Sequence, residues 1–373
     1  MRIGVDIRSL SEPISGIGRY TLNLLELMVL DESHEWVLYS HQPIVYGQWN
    51  LKNVSVRTLS FPKWIIGHYL PWSQFILPFW TKQDNIDIFW SPAHRLPIFL
   101  SKSIASVVTI HDLVWKHAPE TMRPFGKFLD SSFMPKSVKI ADKVIAVSKS
   151  TAKDLYIEVP ESKQKTIIIY EAGSLAFKQL IKNDNSIKKY LLFVGTLEPR
   201  KNLARLLEAY SLLPLSIKEE YSFFIVGGKG WGKDDIKSIV KNFNIKKYVK
   251  ILGYLSDKDL ANTYQKASLF VMPSLYEGFG LPLLEAMSFG VPVVTSNLSS
   301  MPEIVGNAAV LADPYSVDSI KEGIKKVLTD KQLRFLLSSA GLKQSKHFNW
   351  KKAAKKTLHV FADALSSKQG RNF

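Results

Sequence analysis

The stretch LFVMPSLYEGFGLPLLEAMSFGVPVVT, residues 269–295, decides the fold class. It reads as a strand, a turn, a helix and a second strand. Leu269–Met272 is a short, fully apolar run of strand length. Gly278 and Gly280 permit a tight turn, Pro282 suits the first turn of a helix, and Leu283, Leu284 and Met287 give that helix a packing face. Val291–Thr295 is again β-branched and apolar on both faces, as a strand buried between helices must be. The helix therefore opens at the carboxyl end of a strand. Its free N–H groups and roughly half a positive charge make a seat for phosphate.

The same alternation of apolar runs and helical segments extends in both directions, which is the pattern of α/β domains with parallel sheets. Strands are expected at Ile3–Ile7, Trp36–Tyr39, Val54–Leu59, Ile86–Trp90, Ser106–Ile110, Val144–Val147 and Thr166–Tyr170. A second series follows at Leu191–Val194, Ser222–Val226, Val249–Leu252, Leu269–Met272, Val291–Thr295 and Ala309–Leu311. The polar stretch Lys178–Lys189 separates the two series and reads as a linker. A chain of 373 residues fits two domains at about 150 residues each. Two doubly wound sheets in tandem are expected to bind ligand in a cleft at the carboxyl ends of their strands. After His347–Trp350 comes an amphipathic stretch, Lys351–Leu365, with Ala353, Leu358, Val360, Phe361 and Leu365 available for packing. No internal sequence repeat is evident.

Composition narrows the function. With 46% hydrophobic and 22% charged residues, the chain is neither disordered, collagenous nor a coiled coil. It has no cysteine, which removes disulfides, thiolate zinc sites, iron–sulfur clusters and a cysteine nucleophile, and fits the cytoplasm. Arg2 and Asp6 interrupt the N-terminal apolar run, so it reads as a strand and not as a signal segment. The net charge of +16 is uneven: residues 1–175 hold 19 Lys and Arg against 16 Asp and Glu, and residues 176–373 hold 30 against 17. That excess is diffuse lysine without interleaved aromatics, which argues against a nucleic-acid partner and leaves contact with an anionic membrane open. Trp64–Thr81 has 18 residues without a formal charge, but Gly67, Pro71 and Pro78 break it. It reads either as a buried helix with a loop or as an aromatic surface for a membrane interface.

Five constellations carry chemistry. Glu277 lies on the glycine turn and Glu285 about one turn into the following helix, where ionised carboxylates can accept bidentately from sugar hydroxyls and a ribose diol. Gly195-Thr196-Leu197-Glu198-Pro199-Arg200-Lys201-Asn202 follows another strand and sets two adjacent cations where a diphosphate would lie. Ser15-Gly16-Ile17-Gly18-Arg19-Tyr20 precedes an apolar helix, but lacks the third glycine and the acid of a dinucleotide fingerprint. His111-Asp112 closes a strand, either as a site with Asp112 orienting the histidine or as a structural terminus. Ser148–Thr151 reads first as a helix N-cap and second as an acceptor contact.

Taken together, YEGFGLPLLEAM at 276–287, GTLEPRKN at 195–202 and TIHDLVW at 109–115 resemble the retaining glycosyltransferases of GT-B fold, family four, especially bacterial mannosyltransferase-like members. The resemblance spans essentially the whole chain. It implies a GT-B architecture of two Rossmann-like domains: residues 1–177 binding the acceptor, 190–346 binding the nucleotide sugar, and 347–373 forming a helix that crosses back to the first domain. By the same resemblance Glu277 contacts the transferred sugar, Glu285 the ribose, Arg200 and Lys201 the diphosphate, and His111 the sugar near the reacting carbon. The Gly16/Gly18 loop lies beside the phosphates, and the backbone of Phe279, Gly280 and Leu281 caps the leaving group. Many relatives carry an arginine directly after the glycine matching Gly195; Thr196 stands there here, and Arg200 is expected to take its place. Asp257, in the loop where relatives hold the base, favours guanine through a carboxylate contact.

The expected activity is transfer of a hexose, with GDP-mannose favoured as donor, to a lipid-linked or growing surface glycan such as lipopolysaccharide. No metal and no cofactor beyond the nucleotide-diphosphate sugar are implied. The expected location is the cytoplasm, with peripheral contact at the cytoplasmic face of the inner membrane. The alternatives are a UDP-sugar-dependent transferase of the same fold and a catalytically silent partner subunit. More distant ones are an epimerase, a phosphorylase with pyridoxal phosphate, and a basic binding protein.

Overall fold

The computed structural model describes residues 1–11, 14–47, 49–59, 69–173, 189–228, 230 and 235–370. The chain divides into two compact units. Unit 1 combines Met1–Trp115, Pro124–Glu171 and Asn349–Phe373, and unit 2 combines Lys116–Arg123 and Ala172–Phe348. The chain thus leaves unit 1 after Glu171, ahead of the 177/190 boundary expected from composition, and Lys116–Arg123 groups with unit 2. Of the expected linker Lys178–Lys189, all but Lys189 lies outside the described residues.

Unit 1 holds seven parallel strands: β1 (Arg2–Asp6), β2 (Glu35–Ser40), β3 (Val54–Thr58), β4 (Ile88–Ser91), β5 (Ala105–Ile110), β6 (Lys143–Ala146) and β7 (Thr166–Ile168). Their order in the sheet is β3-β2-β1-β4-β5-β6-β7. Unit 2 holds β8 (Tyr190–Val194), β9 (Ser222–Val226), β10 (Val249–Gly253), β11 (Leu269–Met272), β12 (Val293–Ser296) and β13 (Ala309–Ala312), in the order β10-β9-β8-β11-β12-β13. The expected α/β class with two doubly wound sheets is therefore found. Both units wind outward from their first strand and then reverse, although no sequence repeat betrays it. The reversal falls between β1 and β4 in one and β8 and β11 in the other, and ligands of such sheets bind beside that crossing. Small differences in strand bounds have local causes. The strand expected at Val291 starts at Val293, because Pro292 accepts from Phe270 through its carbonyl but has no N–H for the ladder.

Each sheet is covered by its own apolar cluster. Leu206, Leu207, Tyr210, Phe223 and Ile324 are fully buried in unit 2, and Tyr39, Trp72, Phe89, Val108 and Val138 in unit 1. The helix Trp350–Gln369 belongs to unit 1. Trp350, Ala353, Ala354, Thr357, Val360, Phe361 and Ala364 face inward at the 3.6-residue period. Leu358 and Leu365, expected to pack, are only half-buried, since small residues let this helix approach the helix Gly16–Met28 closely. Trp350 meets Tyr20 and Phe361 meets Trp90 with ring centroids 5.9 and 5.5 Å apart. Lys368 reaches the buried Asp142 at 3.0 Å, anchoring the end of the helix beside β6.

Of the stretch Trp64–Thr81, residues 64–68 lie outside the described residues. The remainder is helical, with Tyr69–Pro71 and Leu77–Gln83 flanking a wide turn at Trp72–Ile76. The segment has two faces: Trp72, Leu77 and Trp80 are buried, as the buried-helix reading expects, while Phe75 and Phe79 are each 65% exposed. Among the described residues no helix is long and apolar enough to cross a membrane.

Candidate functional site

In unit 2 the site assembles at the carboxyl ends of β8 and β11. The Pro199–Lys201 turn after β8 ends on Asn202, whose left-handed backbone (φ 60°) redirects the chain into the helix Leu203–Ser211. Asn202 also donates to the carbonyls of Pro273 (3.0 Å) and Pro314 (2.7 Å), and Leu275 N–H donates to the Arg200 carbonyl at 2.8 Å. The two loops are thus tied by the Asn202 side chain and one backbone bond.

On this frame Arg200, Lys201 and Glu277 come together. Lys201 Nζ lies 2.6 Å from Glu277 Oε1, and Arg200 Nη1 lies 2.7 Å from Glu277 Oε2. Arg200 Nε also donates to Glu198 at 2.9 Å. Glu277 and Lys201 are both buried. Burial pushes the Glu277 carboxyl upward, but Arg200 and Lys201 outweigh it and hold it at about 2. Burial pulls Lys201 below its ordinary value against the opposing charge of Glu277. Burial likewise raises Glu198, against Arg200 and Lys201. At neutral pH Glu277 is therefore ionised between two cations. Its backbone is clamped by two serines: Ser299 Oγ accepts from Glu277 N–H and donates to the Glu277 carbonyl, and Ser300 Oγ lies 2.9 and 2.8 Å from the carbonyls of Glu277 and Phe279.

The glycine turn delivers the chain into the helix Leu281–Ser288. Gly280 is its N-cap at φ 108°, a conformation that favours glycine, and no side chain caps the helix. Gly278 has no such requirement. Phe279 is buried edge-on against Phe348, with ring centroids 5.8 Å apart, which leaves its backbone on the turn. Glu285, on the second turn of the helix, is buried and accepts from the Tyr264 hydroxyl at 2.9 Å. Asp257 is not in a loop: it opens the helix Asp257–Gln265 behind the N-cap Ser256, where an acid suits the dipole. It follows β10, the edge strand, with β9 and β8 between it and β11.

Unit 1 gathers a second set at the carboxyl ends of its own strands. His111 Nδ1 lies 2.9 Å from Glu171 Oε1, and Nε2 lies 2.8 Å from the Pro92 carbonyl. His111 N–H donates to His94 Nε2 at 3.2 Å, and the two rings stack with centroids 5.4 Å apart. His94 has φ 63° and is buried, which lowers its pKa to about 3. Arg8 pairs with the buried Asp6 and donates to the Ala93 carbonyl at 3.1 Å, fixing the His94 loop. The expectation that Asp112 orients His111 is not met: Glu171 holds the ring, while Asp112 accepts from Val114 N–H at 3.2 Å. Gly16 and Gly18 are not in a loop but in the first turn of the helix Gly16–Met28, because Ser15 caps it by accepting from Gly18 N–H. A Cβ on Gly18 would collide with the Ser9 carbonyl, whereas one on Gly16 would meet nothing. Ser148 is an N-cap, accepting from Thr151 N–H at 2.9 Å.

Two family profiles together cover most of the chain: Glycosyltransferase Family 4 matches residues 14–171 and Glycosyl transferases group 1 matches 177–344. O-antigen chain mannosyltransferase B of Escherichia coli is 32% identical over 398 aligned residues, covering 97% of this chain and 99% of that one. The chain is a group 1 glycosyltransferase. Two solved structures agree in fold. WaaG, a glycosyltransferase involved in lipopolysaccharide biosynthesis, superposes with TM-score 0.76 at 17% identity, covering 97% of this chain and 99% of that one. Sucrose-phosphate synthase from Thermosynechococcus elongatus gives 0.75 at 19%, covering 98% and 100%.

Several polar residues of this glycosyltransferase escaped the sequence reading. Glu171 and Arg8 directly follow expected strands, the same signal that singled out His111, and could have been found by applying it evenly. His94 sits in an irregular loop and Ser299–Ser300 follow a strand by several residues, so spacing alone gave no handle on them.

Proposed function

We propose that the enzyme is a retaining, metal-independent mannosyltransferase that takes GDP-mannose and extends a lipid-linked or growing surface glycan. The observation that carries this reading is the Glu277 carboxylate, gripped by Arg200 and Lys201 beside an uncapped helix N-terminus. It occurs in a chain aligned nearly end to end with an O-antigen mannosyltransferase. Arg200 and Lys201 turn to the donor diphosphate and supply the charge that a divalent cation would otherwise bring. Glu277 then contacts the transferred sugar, Glu285 the ribose and Asp257 the guanine. The backbone of Phe279, Gly280 and Leu281 caps the leaving oxygens. His111 contacts the sugar near the reacting carbon, and the Gly16/Gly18 turn lies beside the phosphates.

As the bond between the anomeric carbon and the phosphate oxygen stretches, negative charge grows on the diphosphate and positive charge on the sugar ring. Fixed cations and a helix N-terminus stabilise that state more than the ground state, which is the condition for catalysis. The departing phosphate oxygen takes the proton of the acceptor hydroxyl on the same face, so configuration is retained without a protein nucleophile.

The acceptor reading places the enzyme in the cytoplasm at an inner-membrane surface. Exposed Phe75, Phe79 and Phe99 of unit 1, with Phe75 and Phe99 stacked at 5.4 Å, supply apolar anchors for a peripheral contact with anionic lipid. The test is transfer from GDP-[14C]mannose to a lipid-linked glycan in excess EDTA, with NMR of the product's anomeric configuration. An α-linked product is expected. Inverted product, or transfer only from UDP-sugars, refutes the corresponding part of the proposal.

A further inference from the structure

His111 is bound on both ring nitrogens by groups that accept. A backbone carbonyl has no proton to give, and an ionised carboxylate has none, so both nitrogens of His111 must donate to meet Pro92 and Glu171 at 2.8 and 2.9 Å. A neutral imidazole has a single N–H and can satisfy one of them. The hydrogen bond and charge of Glu171 favour the protonated ring over the neutral one, so the proton stays on His111.

The surroundings reinforce this. Glu171 comes from the segment after β7 and Asp112 from the residue next to His111, and both are acidic residues. Burial alone would pull the His111 pKa down; the hydrogen bond and charge of Glu171, the Pro92 carbonyl and Asp112 reverse that and raise it. His94 faces it from the loop after β4 as a neutral ring, its Nε2 lone pair already used by the His111 N–H. Arg8 and Arg95 bear on His94 and oppose any charge there. Tyr20 closes the other flank edge-on, with ring centroids 4.7 Å apart. The Thr151 hydroxyl donates to the His111 carbonyl at 3.0 Å.

We propose that Glu171 is a positioning residue that holds His111 as an imidazolium, so that His111 serves the transferase as a fixed cation and not as a general base. Neither ring nitrogen retains a lone pair for the acceptor's proton, which must leave by the phosphate route. The role in transfer rests on the glycosyltransferase reading; the charge state of His111 does not.

The experiment is a pH titration of the full-length protein labelled with 15N-histidine, with His111→Asn used to assign the ring signals. In the wild type both His111 nitrogens stay protonated above the ordinary histidine value of 6.5. In Glu171→Gln the two largest contributions opposing burial are gone, leaving only the Pro92 carbonyl and Asp112, and the midpoint falls below 6.5, while Glu171→Asp restores it. The transfer rate of Glu171→Gln should recover on acidification with KM for the donor unchanged, a pattern that loss of structure would not produce. A wild-type ring with one unprotonated nitrogen at neutral pH overturns the proposal, as does an unchanged midpoint in Glu171→Gln. Protonation as expected in a protein without transfer activity would fault the functional reading and leave the assignment of Glu171 to His111 intact.

Discussion

Replacing Glu277 with glutamine removes one charge from the Arg200–Lys201–Glu277 cluster while keeping the side chain's shape. The carboxyl is held at about 2 in the folded protein, against an ordinary 4.5. Because the folded value is the lower one, the pair's contribution is complete above pH 4.5 and is lost as pH falls toward 2. At about 1.4 kcal/mol per pH unit, that difference corresponds to about 3 kcal/mol at neutral pH. Removing one partner of a buried ion pair costs ~3–5 kcal/mol, because the remaining charge is left without compensation, so two independent routes give the same size. For a unit of this length the loss amounts to a fall of roughly 6–12 °C in the unfolding midpoint. Calorimetry of wild type and Glu277→Gln at pH 7 and pH 3 measures it, with the gap expected to narrow at the lower pH. Equal stability at pH 7, or a gap independent of pH, would refute the view of this cluster as a charged, buried network.

Two further outcomes follow from unit 1. Gly18→Ala drives a methyl into the Ser9 carbonyl and should cost ~1–3 kcal/mol by urea denaturation, whereas Gly16→Ala meets open space and should leave stability unchanged or slightly raised. A loss of transfer in Gly16→Ala at full stability would mark the backbone there as a place of ligand approach. His94 is neutral down to about pH 3, whereas in the unfolded chain it takes up a proton near 6.5. Stability should therefore decline as pH drops below 6.5. Between pH 6.5 and 4.5 the wild type should lose about 2 kcal/mol more than His94→Asn, which tolerates the positive φ and removes the titrating ring.

The architecture was legible because both sheets are parallel and buried, so their strands stand out as apolar runs such as Phe223–Val226 and Val107–Ile110. The Arg200–Lys201–Glu277 cluster was legible for a related reason: all three residues follow strands whose ends such sheets use for binding. What the sequence hid depends on tertiary geometry. Gly16 and Gly18 read as a loop until Ser15 is seen to cap the helix one residue earlier. Asp112 is adjacent to His111 in sequence, yet Glu171, 60 residues away, is the group that reaches its ring. Leu358 and Leu365 were expected to pack alongside Ala353, but the close approach of two helices selects Ala354 and Ala364 instead.

The most direct test of the central claim is a calorimetric titration of the purified protein with GDP, UDP, ADP and dTDP, each in the presence of EDTA, repeated with Lys201→Ala. The account predicts that GDP binds selectively without metal, adding about 2.7 kcal/mol of stability at 100 times its dissociation constant. Lys201→Ala should lower that affinity at least tenfold. Binding of UDP in preference to GDP would contradict the donor assignment, and GDP affinity unchanged in Lys201→Ala would contradict the site itself.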